Sequence, residues 1–185
     1  MDHGSPSCLR LTNATQDDLT RWSPADEIMP DPAERWVRCI NIEAPPADVY
    51  RWLCQLTVAP YSIDWIDNSG RRSPRRLTPG ADQLALGQHF LIFAITSFTP
   101  GRAIAGRSRG RFRRVYGDVA VSYEALPREG SAGTRLQATA CLARSTGPIR
   151  RTALAAGDKL MAGRQLTNIK QLAETSIRRH VNPAK

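Results

Sequence analysis

The stretch RCINIEAPPADVYRWLCQL, from Arg38 to Leu56, decides the fold of this chain. From Arg35 to Ile42, apolar and β-branched residues follow the two-residue period of a β-strand. Pro45 and Pro46 end the strand because proline has no N–H to donate, and Pro46 suits the first position of a helix. Apolar residues three and four positions apart then predict a short helix packed beneath the sheet.

Working outward, the patterns predict a second short helix, further strands and one long helix. The second short helix is expected because two aromatic residues stand among polar ones after a proline. The glycine-rich links predict turns between meander strands. The expected elements are a short helix at 59–68, strands at 86–99, 103–116, 119–126 and 134–142, and an amphipathic helix from 148 to about 178.

This order predicts an α+β fold in which a curved antiparallel sheet wraps around one long C-terminal helix. Two short helices follow the first strand, so only one large helix is left to cover the concave face. A helix that meets a curved sheet leaves space between them if small residues on its inner face do not fill it. We therefore expect an internal apolar cavity of the kind that binds small molecules.

The domain division predicted is an N-terminal arm at 1–33, partly extended, and one ligand-binding domain at 34–180. The arm is rich in Asp, Pro, Ser and Thr, with at most one short helix, from Thr15 to Trp22. Its apolar residues suggest that part of it lies on the domain. They are Leu19, Trp22, Ile28 and Met29.

Composition excludes several classes of site. No charged and then apolar leader is present, and no apolar stretch approaches the roughly 20 residues that span a bilayer, so we expect a cytoplasmic chain without membrane insertion. The four cysteines form no CxxC pair and are expected to be buried thiols. The three histidines are scattered, and we predict no metal and no cofactor.

The formal net charge of +9 comes almost wholly from arginine, with clusters at 71–76 and 102–114. Such clusters bind phosphates or anionic surfaces, and they also occur as solvated loop and strand faces. Few aromatic residues interleave with them, so no specific nucleic-acid partner is expected. Oligomeric state is left open by the sequence.

The opening stretch, with its pattern I-x-I-x-A-P-P-x-x-V-[YW]-x-W-L, resembles a known superfamily. This is SRPBCC, which contains START-related lipid-transfer domains, birch-pollen-allergen-like proteins and polyketide cyclases. A bacterial polyketide-cyclase-like subfamily resembles the chain over about residues 26–175, and the resemblance implies a helix-grip fold. Its further motifs are DEIMPDP (26–32), YSIDWIDNSGRRSP (61–74), LALGQHF (84–90), FTPGRAI (98–104) and GTRLQATACL (133–142).

The chain departs from the subfamily at two places near the expected cavity mouth. Ile63 stands where the subfamily has an aromatic residue, and the link TVAP at 57–60 is shortened. At this mouth we expect Tyr61, Asp64 and Trp65, where a phenol can donate a hydrogen bond and an indole can stack on a ring. The alternative is that the two aromatic side chains close the edge of the core.

Other candidates are single residues on predicted strands and on the long helix. His89 is expected to line the cavity and is a candidate acid or base, with a structural role as the alternative. Glu124 is costly to bury alone, so it either pairs across the sheet with Arg135 or Arg113 or points inward as an acid. Three further residues are expected to line the cavity, with plain core as the alternative. They are Phe93, Met161 and Gln165.

These observations lead first to binding of a small apolar or aromatic molecule, lipid-like or polyketide-like, in an internal cavity. The alternative is a cyclase, aromatase or dehydratase in which His89 or Tyr61 transfers the proton. A third possibility is a protein whose basic surface meets an acidic partner.

Overall fold

The computed structural model describes residues 10–63 and 70–181 of the chain. The elements, in chain order, are β1 (Leu11–Thr12), α1 (Gln16–Thr20), α2 (Pro24–Ile28), β2 (Glu34–Ile42), α3 (Pro46–Cys54), a 3-10 turn (Gln55–Thr57), β3 (His89–Phe90), β4 (Phe93–Thr99), β5 (Ala103–Ser108), α4 (Gly110–Tyr116), β6 (Val119–Pro127), β7 (Thr134–Leu142) and α5 (Pro148–Val181).

The strands of the described residues form one sheet in the order β1-β2-β7-β6-β5-β4-β3. β1 runs parallel to β2, and every other pair is antiparallel. Together with α5 this is the predicted α+β architecture, and the predictions of β2, α3, β6, β7 and α5 are confirmed. None of the helices in the described part of the chain is both long and apolar enough to cross a bilayer.

Polar contacts hold α5 along β2. The contacting residues follow one another in the same order along both elements, so α5 and β2 run in the same direction. From first to last contact the helix covers about 34 Å and the strand about 30 Å, which agrees with near-parallel axes. The contacts join Arg151 to Glu34, Asp158 to Arg38, Lys170 to the carbonyl of Asn41, and Glu174 to the N–H of Glu43.

The face of the sheet towards α5 carries the main apolar core. Trp52 and Leu53 of α3 pack there with Tyr123 of β6, and Leu166 and Ile169 of α5 join the same cluster. Every second residue of β6 points into this core, as the two-residue period of a strand requires. Large side chains therefore fill the space between the sheet and the part of α5 that contains Leu166 and Ile169.

The N-terminal arm covers the opposite face of the sheet. Ala25 and Met29 pack there against Ala120 and Cys141, which form a second, smaller core. Two short helices are present where the sequence predicted at most one, because Pro24 begins α2 immediately after α1. Trp22, predicted to anchor the arm, is 60% exposed.

Both arm helices begin at a capping box whose carboxylate also binds an arginine of the sheet. Asp18 accepts hydrogen bonds from the N–H and hydroxyl of Thr15 and pairs with Arg135 at 2.6 Å. Asp26 caps α2 in the same way and pairs with Arg35 at 2.8 Å. Burial alone would raise the pKa of Asp18, but the bonds from Arg135 and Thr15 outweigh it and lower it to about 2.

The prediction of one long strand at 86–99 is wrong. The segment forms a hairpin in which Phe90 of β3 pairs with Phe93 of β4 across a two-residue turn. Leu91 has the left-handed φ of 51° that this turn needs, although leucine rarely adopts it. Its N–H donates to the carbonyl of Leu56 at 3.2 Å, so contacts with the core hold the turn.

The predicted strand at 103–116 is also only half correct, because it ends at Ser108 and α4 follows. The Ser108 hydroxyl donates to the carbonyl of Gly117 and accepts the N–H of Val119. These bonds hold the end of β5 close to the start of β6, so the residues between the two strands form a short helix outside the sheet. The predicted helix at 59–68 is not seen over 59–63, and 64–68 lie outside the described residues.

Candidate functional site

The backbone at Tyr61 adopts a left-handed conformation, with φ of 56°. For a residue other than glycine this costs about 1–3 kcal/mol unless surrounding contacts impose it. Here the Tyr61 N–H donates to the Ser73 hydroxyl at 3.3 Å, and its carbonyl accepts from the Asn168 amide at 2.8 Å. The ring is buried and meets Trp52 edge-on, with centroids 6.2 Å apart. The chain next to the predicted mouth is therefore locked against α5.

Gln165 connects this segment to the sheet. Its amide oxygen accepts from the Tyr123 hydroxyl at 2.6 Å, and its amide N–H donates to the carbonyl of Pro60. Both side chains are buried, and burial raises the pKa of Tyr123. The phenol is thus a hydrogen-bond donor near neutral pH and not a base.

A buried ion pair lies further along the same face of the sheet. Arg38 donates from Nε to Asp158 at 2.7 Å and from Nη1 to the Thr12 hydroxyl at 3.0 Å. Arg38, Ala138 and Tyr123 lie opposite one another on adjacent strands, so the pair shares one row with the Tyr123 phenol. The Arg38 side chain is 2% exposed but that of Asp158 is 34% exposed. One end of the pair therefore borders open space.

Burial raises the pKa of Asp158, and the ion pair with Arg38 opposes that effect. Sequence reasoning did not single out either residue as a site. Its alternation does place Arg38 on the side of Trp36 and Ile42, so an arginine among inward apolar residues was the available sign. Nothing local marks Asp158 as its partner, because the two are 120 positions apart.

A groove opens to solvent beside Tyr61, between the segment that contains Ser73 and the second half of α5. Its volume is about 270 Å³. Arg75 and Arg179 border it, and both are exposed without an ion-pair partner in the described part of the chain. The groove therefore combines the aliphatic side chain of Leu172 with hydroxyl and amide groups and with positive charge. The remaining lining residues are Asn168, Gln171, Leu172, Thr175 and Ser176.

Solved structures share this architecture at low sequence identity. Protein MLL2253 from Mesorhizobium loti matches at a TM-score of 0.50 and 16% identity, over 77% of this chain and 98% of that one. The Polyketide_cyc-like protein Cgl2372 from Corynebacterium glutamicum matches at 0.44 and 18%, over 82% and 98%. The protein Ara h 8.0201 matches at 0.44 and 10%, over 78% and 97%.

The chain has the helix-grip fold. No protein-family model and no curated protein sequence matches it. Because one fold hosts many chemistries, the likeness defines the fold alone and leaves any function to be argued from this chain's own residues.

Within the helix-grip fold, the structure brings together two of the predicted site residues, Tyr61 and Gln165, through α5. Phe93 is buried in the main core beside Phe90, and Met161 is half-buried on α5. Trp65, like Asp64, lies outside the described residues.

His89 lies away from the interior. It is exposed on the edge strand β3, its Nδ1 is 3.2 Å from the Leu91 carbonyl, and its ring meets Phe112 of α4 edge-on. The predicted position on the cavity wall assumed that residues 86–99 form one strand. The hairpin instead places His89 at the margin of the sheet, where its ring contact supports α4.

Glu124 is buried on the sheet face opposite α5, beneath the N-terminal arm. Neither predicted partner reaches it, because Arg135 pairs with Asp18 and Arg113 pairs with Asp118. The inward orientation is not found either, since the neighbouring β6 residue is the one that faces the helix. The carboxylate is thus covered by a segment that the sequence assigned to an arm.

The Glu124 carboxyl is poorly solvated. Its Oε2 atom has no hydrogen-bond partner among the described residues, and burial raises its pKa. Nearby arginines oppose this shift and one aspartate reinforces it. These charged groups are Arg102, Arg21, Asp26 and Arg35.

No three His, Cys, Asp or Glu side chains within residues 10–63 and 70–181 are placed to hold a metal ion. Cys39, Cys54 and Cys141 are buried and free, as expected. Burial raises the pKa of the Cys54 thiol to about 11, so it is protonated near neutral pH. The described thiols therefore have structural environments.

Proposed function

We propose that this protein binds a small, largely apolar molecule that carries an acidic group, in the groove beside Tyr61. The observation that carries the proposal is a groove in which two arginines without carboxylate partners in the described residues flank the aliphatic side chain of Leu172. A volume of about 270 Å³ is just below the range of about 300–1,000 Å³ that is usual for drug-sized ligands, so a small ligand is expected. The ligand-binding character of the fold agrees with this use.

The groove supplies distinct contacts for the two parts of such a ligand. Leu172 offers apolar contact, while Arg75 and Arg179 offer charge-assisted hydrogen bonds to a carboxylate or phosphate. Asn168 holds the Tyr61 carbonyl, so the inner end is fixed before a ligand arrives. Preformed sites bind more tightly because less ordering is needed on association.

A panel of fatty acids, aromatic acids and their methyl esters tests the proposal by native mass spectrometry and thermal shift. We expect acids to bind and raise the melting temperature, and the matching esters to bind at least about tenfold more weakly through loss of the arginine contacts. Arg75→Gln and Arg179→Gln should remove the preference for acids. Arg72→Gln, an exposed arginine in the same loop but outside the groove lining, is the matched control.

Absence of binding by every acid and ester in the panel would count against the proposal. Equal binding of acids and esters would show that the arginines do not contribute to ligand recognition and that only apolar contacts do. The cyclase alternative has less support, because the described structure leaves His89 exposed at the sheet edge.

A further inference from the structure

An exposed patch of arginines and aliphatic side chains lies where α4 meets the start of α5. Arg150 donates a hydrogen bond to the carbonyl oxygen of Arg114 at 2.7 Å, which joins the two helices. Ile149 is 88% exposed and Val115 is 60% exposed, although such side chains are usually buried. The α4 patch, as we define it, consists of Arg109, Arg111, Arg114, Val115, Ile149 and Arg150.

The α4 patch keeps its positive charge. None of its four arginines pairs with a carboxylate in the described part of the chain. Asp118, which follows α4 in the chain, already binds Arg107 and Arg113, each at 2.7 Å. α4 itself has no buried residue, so its arginines and its aliphatic side chain are available together.

The same features favour a lipid surface over a nucleic acid. Single-stranded nucleic acids stack their bases on exposed aromatic rings. Here the Phe112 ring is already in contact with Tyr116, His89 and the Arg111 guanidinium. Tyr116 is 37% exposed and stacks on Phe112, whereas the aliphatic side chains of Val115 and Ile149 are far more exposed beside the arginines. Aliphatic side chains gain by entering the boundary between headgroups and acyl chains.

We propose that the α4 patch docks the protein on an anionic lipid surface. The arginines lie among the headgroups, where each contributes roughly 1 kcal/mol of attraction, or about a fivefold change in affinity. Val115 and Ile149 enter the interface beneath them. This proposal concerns a surface separate from the groove and does not depend on the ligand proposed there.

The test is co-flotation of the full chain with vesicles of phosphatidylcholine, with or without phosphatidylglycerol. Binding is expected only to the phosphatidylglycerol vesicles and is expected to weaken as salt is added. Arg111→Gln with Arg114→Gln should reduce affinity roughly 30-fold at low salt. Arg72→Gln with Arg76→Gln removes the same charge from the other arginine cluster and should have little effect.

A second pair of variants separates docking from adsorption by charge alone. Val115→Ser with Ile149→Ser leaves the charge unchanged and should still weaken binding by about tenfold or more. All substituted residues are exposed, so unchanged circular dichroism is expected. Failure to bind phosphatidylglycerol vesicles, equal loss in the control pair, an unaffected serine variant, or binding of an RNA oligomer in place of vesicles would overturn the proposal.

Discussion

Replacing Glu124 by glutamine is expected to stabilise the protein near neutral pH and to lose that advantage in acid. Glu124 is 3% exposed, and its Oε2 atom has no hydrogen-bond partner in the described structure. Gln137 lies directly across on β7, and its amide oxygen likewise has no partner there. A glutamine at position 124 has an amide N–H that can donate to this oxygen, since paired residues on adjacent strands are about 5 Å apart at Cβ.

The size of the effect follows from the buried acceptors. An acceptor left buried without a partner costs about 1–3 kcal/mol, and more when it is charged. The substitution removes a buried carboxylate and gives Gln137 a donor. We therefore expect the variant to exceed the natural protein by about 1–3 kcal/mol in free energy of unfolding at about pH 8.

The pH dependence follows from the raised pKa of Glu124. The folded state binds the proton more tightly than the unfolded state, whose glutamate pKa is about 4.3. The stability contributed by this group is fully present below that value and is lost as pH rises through the folded pKa. The difference between variant and natural protein should accordingly shrink towards about pH 5.

Urea unfolding followed by circular dichroism at about pH 5 and about pH 8 measures both quantities. Glu129→Gln, at an exposed position in the turn after β6, is the matched control and should change neither value. Loss of stability in Glu124→Gln at about pH 8 would show that the carboxylate is ionised and held by the surrounding arginines. An equal difference at both pH values would likewise refute the reasoning.

Three further changes are expected to lower stability, as measured by urea or thermal unfolding. Asp158→Ala should cost about 3 kcal/mol because Arg38 is left buried without its carboxylate, whereas removal of Arg38 should cost less since Asp158 is partly exposed. Asp18→Asn should lower the free energy of unfolding by about 2 kcal/mol near neutral pH. The variant should also lose less stability than the natural protein between about pH 5 and pH 2, because the bonds from Arg135 and Thr15 lower the pKa of Asp18 to about 2. Gly106→Ala should cost roughly 1–3 kcal/mol because the added Cβ would meet the backbone of β4.

The elements that the sequence predicts well have local, continuous patterns. In β6 the residues that alternate with Tyr123 face the helix, so a period of two is visible without knowledge of the neighbours. In β2 the same period ends at Pro45 and Pro46, and α3 begins where proline suits a first helical turn. The residues of β2 and α3 from Arg38 to Leu56 also carry the resemblance to the SRPBCC superfamily.

The hairpin at Leu91 was not predicted because tertiary contacts, and not the local sequence, determine its turn. Hairpin turns are usually marked by glycine or asparagine, which adopt a positive φ at little cost. Leu91 and Ile92 pack against the core instead, and the bond from Leu91 to the Leu56 carbonyl holds the turn. The sequence between β3 and β4 therefore reads as uninterrupted strand.

The sequence predicted only part of the candidate site, because the rest of the site also depends on tertiary packing. Tyr61 stood in a recognisable motif, and Gln165 stood on the inner stripe of a predicted helix, so both could be named. Arg38 and Asp158 meet only because α5 runs along β2, and that alignment depends on contacts over its whole length. A pair of this kind follows from the packing of elements and not from the period of either one.

The groove and the α4 patch lie near opposite ends of α5. Thirty residues separate Ile149 from Arg179, which is about 45 Å along a helix. Docking through the patch would therefore leave the groove open to solvent, so a ligand could exchange while the protein stays on a lipid surface. Coupling between the two sites would require movement of α5, and such a movement would have to break the Arg38–Asp158 pair together with the other polar contacts that hold that helix along β2.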